Sequence, residues 1–178
     1  NDPLLTGSRI TEEWARKNYT YFAISFSQPI PSYGFKDKQQ STYKGFWRRF
    51  NQYENFPEMA GREVVSYFHF NTTENPTLLV KVALSGVSTE GALKNLKAEA
   101  EGKTFKALTQ EASAQWNKAL SKLQIEGTDD DKAMLYTSFY HTLINPSVYM
   151  DVDGKYRGLD HNIHQADGFT NYTIFSLW

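Results

Sequence analysis

Residues 151–154, Asp-Val-Asp-Gly, carry the alternating carboxylates that open many calcium-binding loops. An EF-hand loop also needs a glutamate at its twelfth position, which here is Asn162, so that kind of loop is excluded. We therefore interpret the segment as a tight turn between short strands, in which Asp153-Gly154 supplies a positive φ. A calcium site completed by residues outside this sequence is the alternative.

Two histidines, His161 and His164, lie beside Asp160, a combination of side chains that can bind zinc. A zinc site would need two histidines on one helix face and a third ligand, but residues 159–168 have a turn-like composition. We therefore expect these histidines, and His141, to be exposed or hydrogen-bonded.

The stretch 33–56 interleaves aromatic and basic side chains. Aromatic rings can stack on sugars, or on the bases of single-stranded nucleic acid whose phosphates the basic groups neutralise. They can equally pack inside an extended hairpin whose charged side chains keep its edge soluble. We favour the hairpin, then sugar contact, and nucleic acid least, because the net charge of the chain is −1. The residues are Tyr33, Phe35, Lys36, Lys38, Tyr43, Lys44, Phe46, Trp47, Arg48, Arg49, Phe50, Tyr53 and Phe56.

The composition excludes several classes of site. The chain has no cysteine, so disulfides, thiolate metal sites and a cysteine nucleophile are ruled out. No Gly-x-Ser-x-Gly elbow and no phosphate-binding glycine loop occurs. No run approaches the roughly 20 apolar residues that span a bilayer, so we expect no membrane span.

The first half of the chain has the period-2 alternation of half-buried strands. We predict strands at Tyr19–Phe26, Val64–Phe70 and Leu78–Leu84. Short polar turns rich in proline and asparagine separate such segments, which favours an antiparallel sandwich.

The second half has helical spacing and clear helix starts. Ser88 is the expected N-cap of a first helix that ends at Gly102, and a second helix is predicted over Thr104–Leu123. Thr128 and the acids after it predict a third helix, which Asn145-Pro146 ends. Strands followed by helices indicate segregated β and α parts rather than a βαβ fold.

The order of these motifs resembles that of glycoside hydrolase family 92, the calcium-dependent exo-acting α-mannosidases common in Bacteroidetes. The resemblance covers most of the chain and is weakest across residues 30–60. Each motif is moderately specific, and their common order and spacing carry the resemblance. The motifs are Trp14 with Tyr21-Phe22 and Phe26–Pro29, Val80–Ser88 followed by Ala92, Asn95-Leu96 and Glu99, Trp116 with Leu120, Tyr140-His141 with Pro146, Asp151–Gly158, and Tyr172–Trp178.

The resemblance implies an N-terminal antiparallel β-sandwich, a helical linker and a C-terminal (α/α)6 barrel, with the active site between sandwich and barrel. Residues 1–100 would then be the C-terminal part of the sandwich, residues 101–127 the linker, and residues 128–178 the beginning of the barrel. Because the sequence also ends on the apolar run Tyr172–Trp178, we expect it to be a portion of a longer polypeptide.

The activity implied is calcium-dependent, inverting hydrolysis of terminal mannose from glycans, with α-1,2-mannosides as the expected substrates, in the periplasm or outside the cell, including as an outer-surface lipoprotein. Inversion needs two carboxylates roughly 6.5–9.5 Å apart. The resemblance puts these carboxylates and the calcium ligands beyond residue 178, so no catalytic or metal-binding residue is assigned here. Trp178 is implied to contact the terminal mannose, and the aspartate that follows this tryptophan in the family is not in the sequence.

Two alternatives of other classes stay open. An aromatic-rich sandwich could hold glycans as a carbohydrate-binding module without cleaving them. Residues 33–56 could instead hold a single nucleic-acid strand, with an affinity that falls steeply as salt rises.

Overall fold

The computed structural model describes residues 3–12, 17–37 and 57–173. Seven strands and three helices occur in these ranges, with the first five strands before the helices and a short hairpin after them. The strands are β1 (Leu4–Thr11), β2 (Asn18–Phe26), β3 (Ser32–Asp37), β4 (Val64–His69), β5 (Val80–Ser85), β6 (Lys155–Arg157) and β7 (Ile163–Gln165). The helices are α1 (Thr89–Ala100), α2 (Phe105–Leu120) and α3 (Asp129–Ile144). The predicted order of antiparallel strands first and helices second is confirmed.

The chain divides into two compact units, of which the first comprises Asn1–Leu4 and Ser25–Val80. Its strands β3 and β4 pair antiparallel, from Ser32 opposite His69 to Asp37 opposite Val64. The ring of Phe26 packs on those of Phe68 and Phe70, with centroids 5.2 and 5.4 Å apart. This aromatic packing gives the two paired strands an apolar face to fold on.

The second unit comprises Leu5–Ile24 and Lys81–Trp178 and holds a hydrophobic core of described residues. Strands β1, β2 and β5 form one sheet in that order, and α1 lies on it. Ala23 on β2 and Ala92 on α1 are both fully buried, beside the nearly buried Leu96. Because alanine side chains are short, the helix backbone can approach the sheet closely at this point.

The remaining helices of this unit pack lightly in the described structure. Helices α2 and α3 contain no buried residue, and Phe105 and Met134 are 68 % and 66 % exposed. Trp116 of α2 and Tyr140 of α3 meet with ring centroids 4.6 Å apart. No helix among the described residues is both long and apolar enough to cross a membrane.

Strand β1 corresponds to no element predicted from the sequence. Strand β1 contains Gly7, and glycine weakens the strand signal in a sequence. A Cβ at Gly7 would collide with the ring of Phe22 on the neighbouring strand, so the missing side chain is what lets that ring lie across β1. The predicted domain limits at residues 100 and 127 stay predictions.

Candidate functional site

A buried carboxylate joins the end of β5, helix α1 and the segment that leads into β6. Asp151 is only 3 % exposed. Its Oδ2 accepts a hydrogen bond from Ser85 Oγ at 2.7 Å, and its Oδ1 accepts one from Asn95 Nδ2 at 2.9 Å. A buried charge is tolerated when its oxygens are hydrogen-bonded in this way.

The partners of Asp151 are themselves held in one orientation. Ser85 Oγ accepts the backbone N–H groups of Val87 at 2.9 Å and Ser88 at 3.3 Å, so its proton is left to donate to the carboxylate. The Asn95 side chain donates a second hydrogen bond to the Leu84 carbonyl at 2.8 Å. Its Oδ1 accepts from the Val152 N–H at 2.9 Å. Both partners therefore present donors to residue 151, and only a side chain with two acceptor oxygens satisfies both.

The first turn of α1 completes this junction. Ser88 is the N-cap, as predicted, and its side chain accepts from the Gly91 N–H at 3.0 Å. A Cβ at Gly91 would collide with Asp151 Oδ2 and come within 2.7 Å of Ser85 Oγ. The carboxylate thus lies against the positive end of the helix dipole, which favours its negative charge.

The hairpin that follows Asp151 begins with the predicted turn. Gly154 has a φ of +81°, and its N–H donates to the Asp151 carbonyl at 2.8 Å. The Asp153 carboxylate pairs with Lys94 Nζ at 2.7 Å and lies 3.8 Å from Lys155 Nζ. The hydrogen bond from Lys94 lowers the pKa of the Asp153 carboxyl, and the same contact raises the pKa of Lys94.

These carboxylates do not form a cation site within the described ranges. Both oxygens of Asp151 are occupied by donors, and Asp153 is paired with Lys94. No cluster of three or more histidine, aspartate or glutamate side chains suited to a metal occurs in residues 3–12, 17–37 and 57–173. The described residues therefore do not fit the calcium ion that the family resemblance implies.

Arg157 ties the same hairpin to the loop after β5. Its Nε donates to the Gly86 carbonyl at 2.9 Å, Nη2 to the Val87 carbonyl at 3.1 Å and Nη1 to the His161 carbonyl at 2.8 Å. The guanidinium also lies over the Tyr19 ring, 4.2 Å from its centroid. Such a cation–π contact, together with three carbonyl acceptors, holds the charge in place without a carboxylate partner in the part of the chain that the structure describes.

A shallow cleft of about 180 Å³ opens beside Arg157 in the second unit. Its wall is made by the start of β2, the end of β5 with the loop after it, and the segment before β6. The lining residues are Asn18, Tyr19, Thr20, Leu84, Ser85, Gly86, Val87, Val148, Tyr149, Met150, Asp151, Tyr156 and Arg157.

The histidines are exposed, as predicted. His164 Nε2 lies 3.0 Å from both carboxylate oxygens of Asp160, and this hydrogen bond holds the pKa of the Asp160 carboxyl well below its usual value. His161 has a φ of +66°, the one positive value among the described non-glycine residues, and its carbonyl accepts from Arg157. His141 is exposed near the end of α3.

The sequence-predicted substrate contact, Trp178, lies outside the described residues, as does most of the aromatic and basic stretch, residues 38–56. Sequence reasoning missed the roles of Ser85, Asn95 and Arg157, and it treated Asp151 as part of a turn, with a calcium site as the alternative. The available signal was the pairing of a Ser-Gly turn after a predicted strand with an asparagine on the inner face of the next helix. That pattern does not indicate that the distant Asp151 is the acceptor.

Two family models together match nearly the whole chain. Residues 1–85 match the glycosyl hydrolase family 92 N-terminal domain, and residues 91–178 match the glycosyl hydrolase family 92 catalytic domain. No curated protein matches the chain.

Solved structures of family GH92 enzymes are also similar to this chain. The family GH92 α-mannosidase BT3965 from Bacteroides thetaiotaomicron is 37 % identical, with a TM-score of 0.83 over 100 % of this chain and 24 % of that one. Its complex with mannoimidazole has the same identity and TM-score and is covered to 23 %. The family GH92 inverting mannosidase BT2199 from the same organism is 22 % identical, with a TM-score of 0.76 over 96 % of this chain and 22 % of that one. The chain thus spans about a quarter of the length of these proteins.

Proposed function

Because this chain belongs to glycoside hydrolase family 92, we propose that it is part of an α-mannosidase that removes terminal mannose from glycans by inverting hydrolysis. The observation that carries the proposal is the 37 % identity, over the whole chain, with a protein described as an α-mannosidase. The expected substrates are α-1,2-linked mannosides, and the expected location is the periplasm or the cell exterior.

Asp151 and Asp153 do not supply the pair of carboxylates that inversion needs. One acid must protonate the leaving oxygen, and one base must activate water on the opposite face of the sugar, roughly 6.5–9.5 Å away. Both oxygens of Asp151 are held by donors, and Asp153 is paired with Lys94. We therefore assign both catalytic carboxylates to the part of the longer enzymes that this chain does not cover.

The proposed contribution of this chain is to position a substrate-contacting segment. Val148 and Tyr172 form an antiparallel bridge, so the two ends of the segment 148–173 lie side by side. Asp151 fastens this segment to Ser85 of β5 and Asn95 of α1, and Arg157 fastens it to the loop after β5. The chain then continues from Tyr172 toward Trp178, whose indole we propose contacts the face of the terminal mannose.

The activity is tested on the longest natural polypeptide that contains this chain. We expect release of mannose from α-1,2-mannobiose, faster than from the 1,3, 1,4 and 1,6 isomers, with β-mannose as the first anomer seen by proton NMR. Absence of mannosidase activity on all four disaccharides contradicts the proposal. Release of α-mannose first contradicts inversion alone.

Calcium is proposed to help bind and distort the mannose ring, with ligands from outside the described residues. We expect a complete enzyme to lose activity in excess chelator and to regain it when calcium is added back. Magnesium added at the same concentration is the control, because it prefers a smaller octahedral shell. Full activity in excess chelator would contradict the calcium dependence.

The substitution Trp178→Ala tests the proposed sugar contact. We expect turnover of the complete enzyme to fall while its thermal unfolding midpoint changes little, because a residue that stacks on substrate contributes to binding rather than to the core. A large fall of the midpoint would instead identify Trp178 as a core residue.

A further inference from the structure

The cleft beside Arg157 has polar side chains without hydrogen-bond partners among the described residues. The side chains of Asn18, Thr20 and Tyr149 line it, and none of the three forms a hydrogen bond with any described residue. Thr20 is half-buried, and Tyr149 is 36 % exposed. Hydroxyl and amide groups both donate and accept, so together they suit a ligand that carries several hydroxyl groups.

The charged groups of the cleft are already engaged. Asp151 is 3 % exposed and accepts from Ser85 and Asn95. Arg157 donates to three backbone carbonyls and lies over Tyr19. One cation and one anion line the cleft, so its net charge favours a neutral ligand over a phosphate or a carboxylate.

The apolar part of the lining suits the C–H face of a sugar. Tyr149 and Tyr156 bring two aromatic rings, and Val148 and Met150 add aliphatic surface. Gly86 lets the Tyr149 hydroxyl lie against the loop after β5, since a Cβ there would be 2.8 Å from that oxygen. Tyrosine combines an apolar plane with a polar tip, which is the pairing that sugar recognition uses.

The size of the cleft suits a ligand of one ring. Pockets for drug-sized molecules measure about 300–1,000 Å³, whereas this cleft measures about 180 Å³. We propose that the cleft formed by Asn18, Thr20, Tyr149 and Tyr156 binds a single neutral hexose. That the hexose is a mannose unit rests on the proposed function.

The experiment uses the longest natural polypeptide that contains this chain, with its active site filled by saturating mannoimidazole. Titration with methyl α-D-mannoside is followed by calorimetry. We expect one saturable site to remain. Thr20→Val and Tyr149→Phe should each weaken its affinity about fivefold, the fold-change expected for one lost hydrogen bond of ordinary strength.

Thr6→Val is the matched control, because Thr6 is an exposed threonine of the same sheet, outside the cleft. It should leave the affinity unchanged. Thermal unfolding of each variant checks the fold, and Thr20→Val keeps the test valid if Tyr149→Phe unfolds.

Three results would overturn the inference: no saturable site in the presence of mannoimidazole, an affinity that neither cleft variant changes, or tighter binding of inorganic phosphate than of the mannoside. Mannosidase activity of the unmodified protein is measured in parallel. Activity without the extra site removes only this inference, whereas sugar binding at the cleft without activity removes only the proposed function.

Discussion

Replacing Asp151 by asparagine should destabilise the fold almost as much as removing its side chain, although asparagine has nearly the same shape. Ser85 and Asn95 both point donors at residue 151, because their other hydrogen-bonding atoms are committed to the backbone. An amide offers one oxygen and one N–H₂ group. Whichever way it turns, its N–H₂ group faces a donor.

The size of the effect follows from the two hydrogen bonds. A hydrogen bond to a charged group contributes about 1.5–3 kcal/mol, and a neutral one about 1 kcal/mol. Asp151→Asn loses one charged hydrogen bond and turns the other into a neutral one, which amounts to about 2–5 kcal/mol. Since the residue is only 3 % exposed, water does not replace the lost acceptor.

The matched control is Asp153→Asn, two residues away. Its side chain is 28 % exposed and its ion pair with Lys94 lies at the surface. Such pairs contribute about 0–1 kcal/mol, so this variant should stay close to the unmodified chain.

Equilibrium urea unfolding of the chain, followed by circular dichroism, measures both variants under the same conditions. The free energies of unfolding are compared at equal m-values, since a changed m-value would mean a changed compactness. A loss below about 0.5 kcal/mol for Asp151→Asn, within the range of ordinary surface substitutions, would refute the view that two acceptors are required. An equal loss for Asp153→Asn would show that the charge, and not the buried geometry, is responsible.

Two further substitutions test the helix starts. The Thr128 side chain caps α3 by accepting from the backbone N–H of the third helical residue, so Thr128→Ala should lower the free energy of urea unfolding by about 1 kcal/mol. Its control is Thr109→Ala on the exposed surface of α2, which should cost no stability because alanine is the better helix former. Equal losses for the two variants would contradict the capping role. Gly91→Ala should lower the thermal unfolding midpoint although alanine favours helices, because the added Cβ would collide with Asp151 Oδ2. A raised midpoint would show that Asp151 and its neighbours can move to accommodate the Cβ.

The ends of the helices could be predicted because they depend on neighbours in the sequence. Ser88 and Thr128 cap backbone groups three residues ahead, and Asn145-Pro146 ends α3 as expected. Strand β1 escaped prediction because its Gly7 carries no side chain, and only its neighbour Phe22 explains the gap.

The pattern Asp-x-Asp-Gly at residues 151–154 predicted the turn and the positive φ of Gly154, since both are local properties of the backbone. It did not reveal that Asp151 is buried, because its partners Ser85 and Asn95 lie 66 and 56 residues earlier in the chain. An acidic side chain at the same place in the sequence could equally face water or a metal ion. Only the tertiary structure decided that Asp151 is buried. The packing of α1 against β5 brings the donors of Ser85 and Asn95 to one point, and the Asp151 carboxylate accepts from both.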